Sequence, residues 1–478
     1  MKVALVNPPR VDGIPVIRED RCEITDRGSL VPPYSLIQIA AQLKSAHDVV
    51  VMDANGLNMS HAQLKEQVGA FCPDVLIFRF TPTTFDSDME VARIAKQVNP
   101  DVLTVGMCWT LKEFAERVLK ERAELDVYIT GDYEVVAKNV VNALEDREEL
   151  KDVRGIAFFE GGQLVATPAP YAQFDYDELP IPAYDCLPPL STYYINTRHG
   201  SPFTIMYTSK GCPYSCIYCT VRRTTWRARS AQSILEEIFY LKEHHNIRTV
   251  SFFDETFTFD RERVVELCES MCEQQISIRW YCNTRVNHVD GKLLRLMRRA
   301  GCRGMSFGAE SGSDEILKRA KKGATVAQTA RAVREAKAAG IKTYLSFMFG
   351  LPGESWDTVH ETVDFVKKVL PNSAQFNITV PYPGTELYEE GVKNGYIPQE
   401  LDWRQLFQHS SILRTEHMSP AELEQARRLA YHSLYFNPIW ILSNVLFLLR
   451  EPTEIPLGVR YYLKSLKNFF VHNMEHAH

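Results

Sequence analysis

No uninterrupted run of about 18 apolar residues, the length that crosses a bilayer, occurs in this sequence. The longest candidate, Ile439 to Leu449, contains Ser443 and Asn444. No secretory leader is expected, since the sequence opens directly on a strand-like run, Lys2 to Val6. Charge of one sign is scarce: 54 basic residues face 60 acidic ones, a formal net charge of -6, so no nucleic-acid partner is expected. With 45% hydrophobic and 24% charged residues the chain is not of the disordered class. Eleven cysteines would suit a disulfide framework in a small secreted protein, but in a chain of 478 residues without a leader they are expected to be reduced. A cytoplasmic enzyme of two or three domains is the expectation.

What is present begins with a beat of short apolar strands and amphipathic helices. Val3–Val6, Val49–Met52, Val75–Phe78, Val102–Val105 and Val127–Ile129 read as strands, with helices near Leu36–Ser45, Asp88–Gln97 and Leu111–Arg122. That pattern predicts a Rossmann-like, doubly wound parallel sheet over residues 1–165. Ligands of such sheets lie at the carboxyl ends of the strands, here Asn7, Asp53, Thr81, Gly106 and Gly131. A linker rich in proline and acidic residues, 166–195, marks a domain boundary. The beat then resumes with six strands, Phe203–Ser209, Thr249–Phe253, Ile278–Asn283, Gly304–Gly308, Lys342–Phe349 and Ala374–Val380. Six units predict a partial (β/α)6 barrel of the TIM type over 196–390, with functional groups at the carboxyl ends of its strands. Residues 391–478 read as a small helical carboxyl-terminal region, making the whole an α/β protein.

Cys212-Pro-Tyr-Ser-Cys216-Ile-Tyr-Cys219 places three thiols directly after the first barrel strand. Compact cysteine runs hold iron-sulfur clusters. Three ligands leave one iron without a protein thiolate, and a small chelating molecule can bind there. A structural zinc site is the alternative, but it wants four ligands, and no nearby His or Cys supplies the fourth.

This spacing, with Tyr218 before the last cysteine, resembles the radical S-adenosylmethionine (SAM) superfamily. The resemblance implies a [4Fe-4S] cluster on Cys212, Cys216 and Cys219. It further implies that SAM chelates the open iron and is cleaved reductively to methionine and a 5'-deoxyadenosyl radical, with a donor such as flavodoxin or ferredoxin supplying the electron. Carried over by position, Tyr218 is the adenine-side aromatic, and Asp254 or Glu255, where relatives have Gly-Gly-Glu, receives the methionine ammonium. Glu310 in Gly308-Ala-Glu310-Ser311-Gly312 is similar to the family's ribose or amino-group ligand, and Gly353 to the turn that packs on adenine. Arg229 and Arg285 are candidates for the SAM carboxylate. No catalytic residue toward substrate is assigned.

The amino-terminal region resembles the cobalamin-binding domain fused to radical SAM barrels in one large class. The residues that carry this are Val6-Asn7-Pro8-Pro9, Pro32-Pro33-Tyr34, His47 to Asn55 and Thr81-Pro-Thr83-Thr84. Asn7, Thr83, Gly106 and Gly131 are the implied cobalamin contacts. Asp-x-His-x-x-Gly is absent, so no histidine of that motif replaces the lower base. Val105-Gly106-Met107-Cys108-Trp109-Thr110 and Gly131-Asp132-Tyr133-Glu134 depart from the class by bringing in Trp109 and Tyr133.

The resemblance implies a cobalamin-dependent methyltransferase acting on an unactivated centre. The alternatives are a cyclase or rearrangement enzyme of a tetrapyrrole or lipid-like substrate, a methylthiotransferase-like enzyme with an auxiliary cluster on Cys22, Cys72 and Cys108, and a non-catalytic iron-sulfur sensor. The substrate is expected to be a small or lipid-like molecule. The aromatic-rich tail, Tyr435–Leu449 and Val459–Phe470, suits either packing or peripheral contact with a membrane surface.

Overall fold

The computed structural model describes residues 1–19, 23–24, 29–169, 175–195, 200–398 and 400–450. Cys22 and the tail segment Val459–Phe470 lie outside them.

The apolar runs of the amino-terminal part become strands β1 (Lys2–Asn7), β2 (Asp48–Asp53), β3 (Val75–Arg79), β4 (Leu103–Met107) and β5 (Val127–Ile129), all parallel. β6 (Ile156–Glu160) and β7 (Gln163–Ala166) extend the edge in antiparallel fashion, a feature the patterning did not announce. The order is β2-β1-β3-β4-β5-β6-β7. Strand order therefore reverses between β1 and β3, the switch point where open α/β sheets place their ligands. Both faces are covered, which is why these strands are continuously apolar rather than alternating. One face packs Phe78, Phe80, Phe85 and Tyr128, the other Leu5, Ile77, Val105 and Ile129 with Leu36 and Val140 from the helices.

The second sheet is the partial barrel. Its strands β8 (Phe203–Met206), β9 (Thr249–Phe252), β10 (Arg279–Thr284), β11 (Cys302–Glu310), β12 (Lys342–Phe349) and β13 (Ser373–Ile378) are hydrogen-bonded in sequence order and all parallel. β12 shows the two faces: Thr343, Leu345, Phe347 and Phe349 are buried, while Lys342, Tyr344, Ser346 and Met348 alternate with them half-buried. Helix starts are set by side-chain caps, such as Ser230 on Ser233 N–H, Asp260 on Arg263 N–H and the Thr325–Gln328 capping box.

The linker packs tightly where it is described. Tyr184 donates to buried Glu237 at 2.6 Å, and Tyr193 donates to Asp53 at 2.5 Å, tying both sheets together. The carboxyl-terminal region is shared between the two domains. Trp403 joins Phe85 and Phe114 beside the first sheet, whereas Leu423, Ala426, Ala430 and Leu434 of helix Pro420–Tyr435 enter the barrel core. Among the described residues no single helix is long and apolar enough to cross a membrane.

Candidate active site

Beyond β8 the chain forms a two-residue ribbon, Ser209–Lys210 antiparallel to Arg227–Ala228, and the loop between them carries the three cysteines. Gly211 enters the loop at φ +88°, and a Cβ there would lie 2.1 Å from the Thr225 carbonyl oxygen, so no side chain fits. The loop then locks on itself. Cys212 N–H donates to Thr224 Oγ1 at 2.8 Å, Thr224 N–H returns to the Cys212 carbonyl at 3.0 Å, and Arg223 N–H reaches the Tyr214 carbonyl at 2.8 Å. Ile217 N–H bonds Ala320 O at 3.2 Å, anchoring the loop across the barrel mouth.

Cys212, Cys216 and Cys219 form no disulfide, Cys216 being buried and the other two half-buried. Among the described residues no three His, Cys, Asp or Glu side chains are grouped as ligands of a single ion. A structural zinc site would need four ligands around one point. In a [4Fe-4S] cubane each thiolate binds a different iron, and three cysteines on one preorganised loop are a donor set that fits it.

Charged groups surround the loop. The Arg285 guanidinium lies 3.7 Å from the Tyr214 ring centre, and its Nη1 donates to Cys216 Sγ at 3.6 Å. Burial pushes the Cys212 thiol up, with Arg285 opposing and Glu255 reinforcing the shift, so both charges stand near that sulfur. Burial likewise raises the Tyr218 phenol, and the neighbouring Glu310 carboxylate and Cys216 add to it.

Glu310 ends β11 at φ +64°, left-handed backbone that costs a non-glycine residue on the order of 1–2 kcal/mol. Such strain is often found where a side chain is aimed at a site. Lys322 Nζ donates to Glu310 Oε1 at 2.7 Å, and both groups sit over Gly308, where a Cβ would lie 2.3 Å from the carboxylate and 2.8 Å from the ammonium. Lys322, 5% exposed, was passed over in the sequence because a lysine in a basic run after a helix, here beside Lys321, reads as solvated.

The two carboxylates after β9 have different fates. Asp254 is fully buried and accepts from Thr208 N–H at 2.7 Å, from Ser209 Oγ at 2.9 Å and from the Thr208 hydroxyl. Its oxygens hold the start of the cluster loop. Glu255 instead lines the crevice between the barrel and the amino-terminal domain. Arg229 points away from the mouth, bonded to buried Glu237 and to Ser233. Gly353, at φ +84°, lies on the turn after β12, with the Arg319 guanidinium where its Cβ would be.

Of the residues read as cobalamin contacts, Gly131 alone lines that crevice, together with Trp109, Asp132 and Tyr133 from its own domain and Gly211 and Thr224 from the cluster loop. Asn7 is 4% exposed, its amide bonded to Asp53 at 2.7 Å and to Arg18 at 3.5 Å. Thr83 is half-buried beside Thr81, its Oγ1 3.3 Å from that of Thr81. Gly106 lies within β4, where Leu125 and Phe80 fill the space of a Cβ at 2.9 and 3.0 Å. The switch point itself is filled by the chain: Arg18 pairs with Asp88 at 2.6 Å and Arg79 with Glu19 at 3.1 Å, all four buried. The open stretch of the strand edge is thus at β4 and β5. An aromatic-walled crevice with a glycine in its lining adjoins the cluster loop there.

The auxiliary-cluster alternative fails on placement. Cys72 precedes β3 and Cys108 follows β4, which runs parallel to it, so they stand at opposite edges of the sheet. At about 3.3 Å per residue, five strand residues separate them by roughly 15 Å.

The pattern of the radical SAM superfamily matches residues 206–366. An uncharacterized methyltransferase of Pyrococcus horikoshii is 30% identical over 448 residues, 93% of this chain and 95% of its own length. An anaerobic magnesium-protoporphyrin IX monomethyl ester cyclase of Rubrivivax gelatinosus is 29% identical, over 86% of this chain and 75% of that one. Among solved structures, the cobalamin-dependent SAM radical enzyme OxsB superposes with a TM-score of 0.73 at 18% identity, over 97% of this chain and 72% of that one. The radical SAM methyltransferase TsrM of Kitasatospora setae does so at 0.67 and 19%, over 82% and 75%. These two likenesses concern the fold, and they extend it across both domains. The chain belongs to the radical SAM superfamily, in the class whose barrel follows an amino-terminal domain of the cobalamin-binding type.

Proposed function

We propose that this chain is a cobalamin-dependent radical SAM methyltransferase acting on an unactivated centre of a small or lipid-like molecule. The observation that carries the reading is the crevice lined from one side by Trp109, Gly131 and Tyr133 and from the other by the cluster loop and Glu255. A group held at the strand ends of β4 and β5 therefore adjoins the loop that would hold the cluster. The Pyrococcus horikoshii relative, which aligns along nearly its whole length, is likewise named a methyltransferase.

When bound, the cluster and cobalamin supply the electron for reductive cleavage of SAM and the carrier for a methyl group. The residues of the chain do the rest. Cys212, Cys216 and Cys219 hold the cluster, and Arg285 offsets negative charge at Cys216. Glu255 receives the methionine ammonium, because the Asp254 oxygens are already committed to Thr208 and Ser209. Glu310 and Lys322 present a carboxylate and an ammonium over Gly308, where the polar half of SAM needs one of each. Tyr218 and Gly353 flank the adenine.

The test is anaerobic reconstitution with iron, sulfide and hydroxocobalamin, followed by assay for 5'-deoxyadenosine under dithionite. Wild-type protein is expected to cleave SAM, and Cys216→Ala to fall below detection. Label from methyl-labelled SAM entering a product supports methyl transfer. Turnover by cobalt-free protein sinks the methylcobalamin step. The length aligned with the cyclase favours one second reading, ring formation on a tetrapyrrole, in which no label enters the product.

Flavodoxin or ferredoxin is the proposed electron donor. Peripheral membrane contact is proposed through helix Pro438–Arg450, where Ile439, Leu442, Leu446 and Leu449 repeat at helical spacing and are each more than half exposed.

A further inference from the structure

The cluster loop is gripped from outside its own domain at three points. At its entry, Lys210 is paired with Glu134. At its exit, Arg227 Nη1 and Nη2 meet the two oxygens of Asp132 at 2.9 and 3.1 Å. At its far side, Trp109 Nε1 donates to the carbonyl of Thr220, the residue after Cys219, at 3.2 Å. The three gripping side chains come from the segments that follow β4 and β5, which also line the crevice. We infer that Asp132, Glu134 and Trp109 are positioning residues for SAM binding: the amino-terminal domain sets the shape of the cluster loop, and with it the SAM site.

Stability alone gives little reason for this arrangement. Glu134 and Asp132 have side chains 3% and 8% exposed, and their partners Lys210 and Arg227 18% and 14%. Ion pairs this far from water recover their desolvation only in part, and apolar contacts of equal volume would hold two domains together as well. What paired, bidentate charges add is register, because an Arg–carboxylate fork accepts one geometry.

The loop has need of that. Between Gly211 and Trp226 it contains no regular strand or helix, and its internal bonds tie Cys212 to Thr224, Tyr214 to Arg223, Cys219 N–H to the Cys216 carbonyl, Arg222 N–H to the Cys219 carbonyl and the Thr224 hydroxyl to the Val221 carbonyl. Those bonds close the base of the loop. Within the stretch Cys219–Val221 it is the Thr220 carbonyl that bonds outward, to Trp109 of the neighbouring domain. Lys112 lies 3.9 Å from the Trp109 ring centre and Tyr133 meets it edge-on at 6.5 Å, so the indole is itself held on two sides. A loop held in this way binds SAM through pre-set geometry, and loosening the grip lowers SAM affinity without removing any group that touches SAM.

This inference rests on the radical SAM reading. It is tested on the full-length, reconstituted protein by two measurements: the SAM dissociation constant from equilibrium dialysis, and the change that SAM induces in the EPR spectrum of the reduced cluster. Arg227→Asp is expected to weaken SAM binding about 10-fold, the scale of effects transmitted through a neighbouring residue, and to blunt the spectral change, with iron and sulfide content unaltered. The charge-swapped pair Asp132→Arg with Arg227→Asp is expected to restore both readouts to within about 2-fold of wild type.

Unchanged SAM affinity and spectrum in Arg227→Asp overturn the inference. So does a swapped pair that takes up a full cluster and yet binds SAM no better than the single variant. Should Arg227→Asp fail to fold, Asp132→Asn and Trp109→Phe carry the same two measurements. There, equal affinity and an unchanged spectrum again overturn the proposal, and weakened binding with full cluster content supports it. A wild-type protein whose spectrum ignores SAM overturns instead the radical SAM reading beneath it.

Discussion

The carboxyl edges of the two sheets are built from similar residues and finished in opposite ways. On the amino-terminal sheet, the switch point is closed by polar groups that bond one another. Arg18 reaches Asp88 and the carbonyls of Pro8 and Pro9, and Asn7 and Tyr193 both meet Asp53. Across the barrel mouth the groups converge on a loop of three cysteines, with Lys322 and the strained Glu310 over a glycine. The first edge has used its hydrogen-bonding capacity on itself, and the second has kept part of it facing inward. A polar strand end is therefore no proof of a ligand site; what matters is whether its polar atoms already have partners.

The largest expected effect attacks the closed edge. Arg18→Met leaves the buried Asp88 carboxylate without its charge partner, which costs about 3–5 kcal/mol, while Arg18→Met combined with Asp88→Leu recovers most of that loss. Urea midpoints of the three proteins check it. A double variant no more stable than the single one would mean that the network is not the self-contained unit described.

A smaller effect separates the two carboxylates after β9. Asp254→Ala strands the Thr208 N–H and is expected to lower stability by about 2 kcal/mol, the scale of an unmet buried donor. Glu255→Gln is expected to leave the melting temperature unchanged and to raise the KM for SAM on the order of 10-fold, the loss of one charge-assisted hydrogen bond. Reversed phenotypes would exchange the assignments.

Much of this was legible in the sequence. The apolar runs gave six barrel strands and five of the first sheet's seven, because a strand buried on both faces announces itself by composition alone. The hairpin β6–β7 and the helix Tyr133–Asp146 were missed, lying where the short β5 gives way to mixed polar sequence. The cysteine loop was legible because its ligand set is local. Lys322, Lys210 and Asp132 were not, since each acquires its role through a partner from 12 to 95 residues away. Asn7 looked like a ligand because its neighbours Asp53 and Arg18 are brought to it only by folding.

One acid at the barrel mouth breaks the rule of partnered burial, and pH exposes it. Glu354 closes the turn after β12, is fully buried, and accepts from the Thr358 hydroxyl at 2.6 Å. Burial pushes its carboxyl up to about 7, with the Thr358 hydroxyl and the Gly350 N–H pulling it back only in part. The folded state therefore binds this proton more tightly than the unfolded chain, whose glutamates titrate near about 4.3. Its contribution to stability is full below that value and is lost as pH rises through about 7. Above the window, the buried carboxylate opposes folding by roughly 3–4 kcal/mol, about 1.4 kcal/mol for each unit between those two values. Glu354→Gln keeps the shape and removes the titration. Its urea midpoint is expected to match that of the wild type near about pH 4 and to exceed it near about pH 8, with the gap opening between those limits. A constant gap across that range would show that Glu354 keeps its proton state on folding. The mouth would then have no buried acid left without full compensation, and the contrast between the two sheet edges would narrow to the loop of thiols and its guard of Glu310 and Lys322.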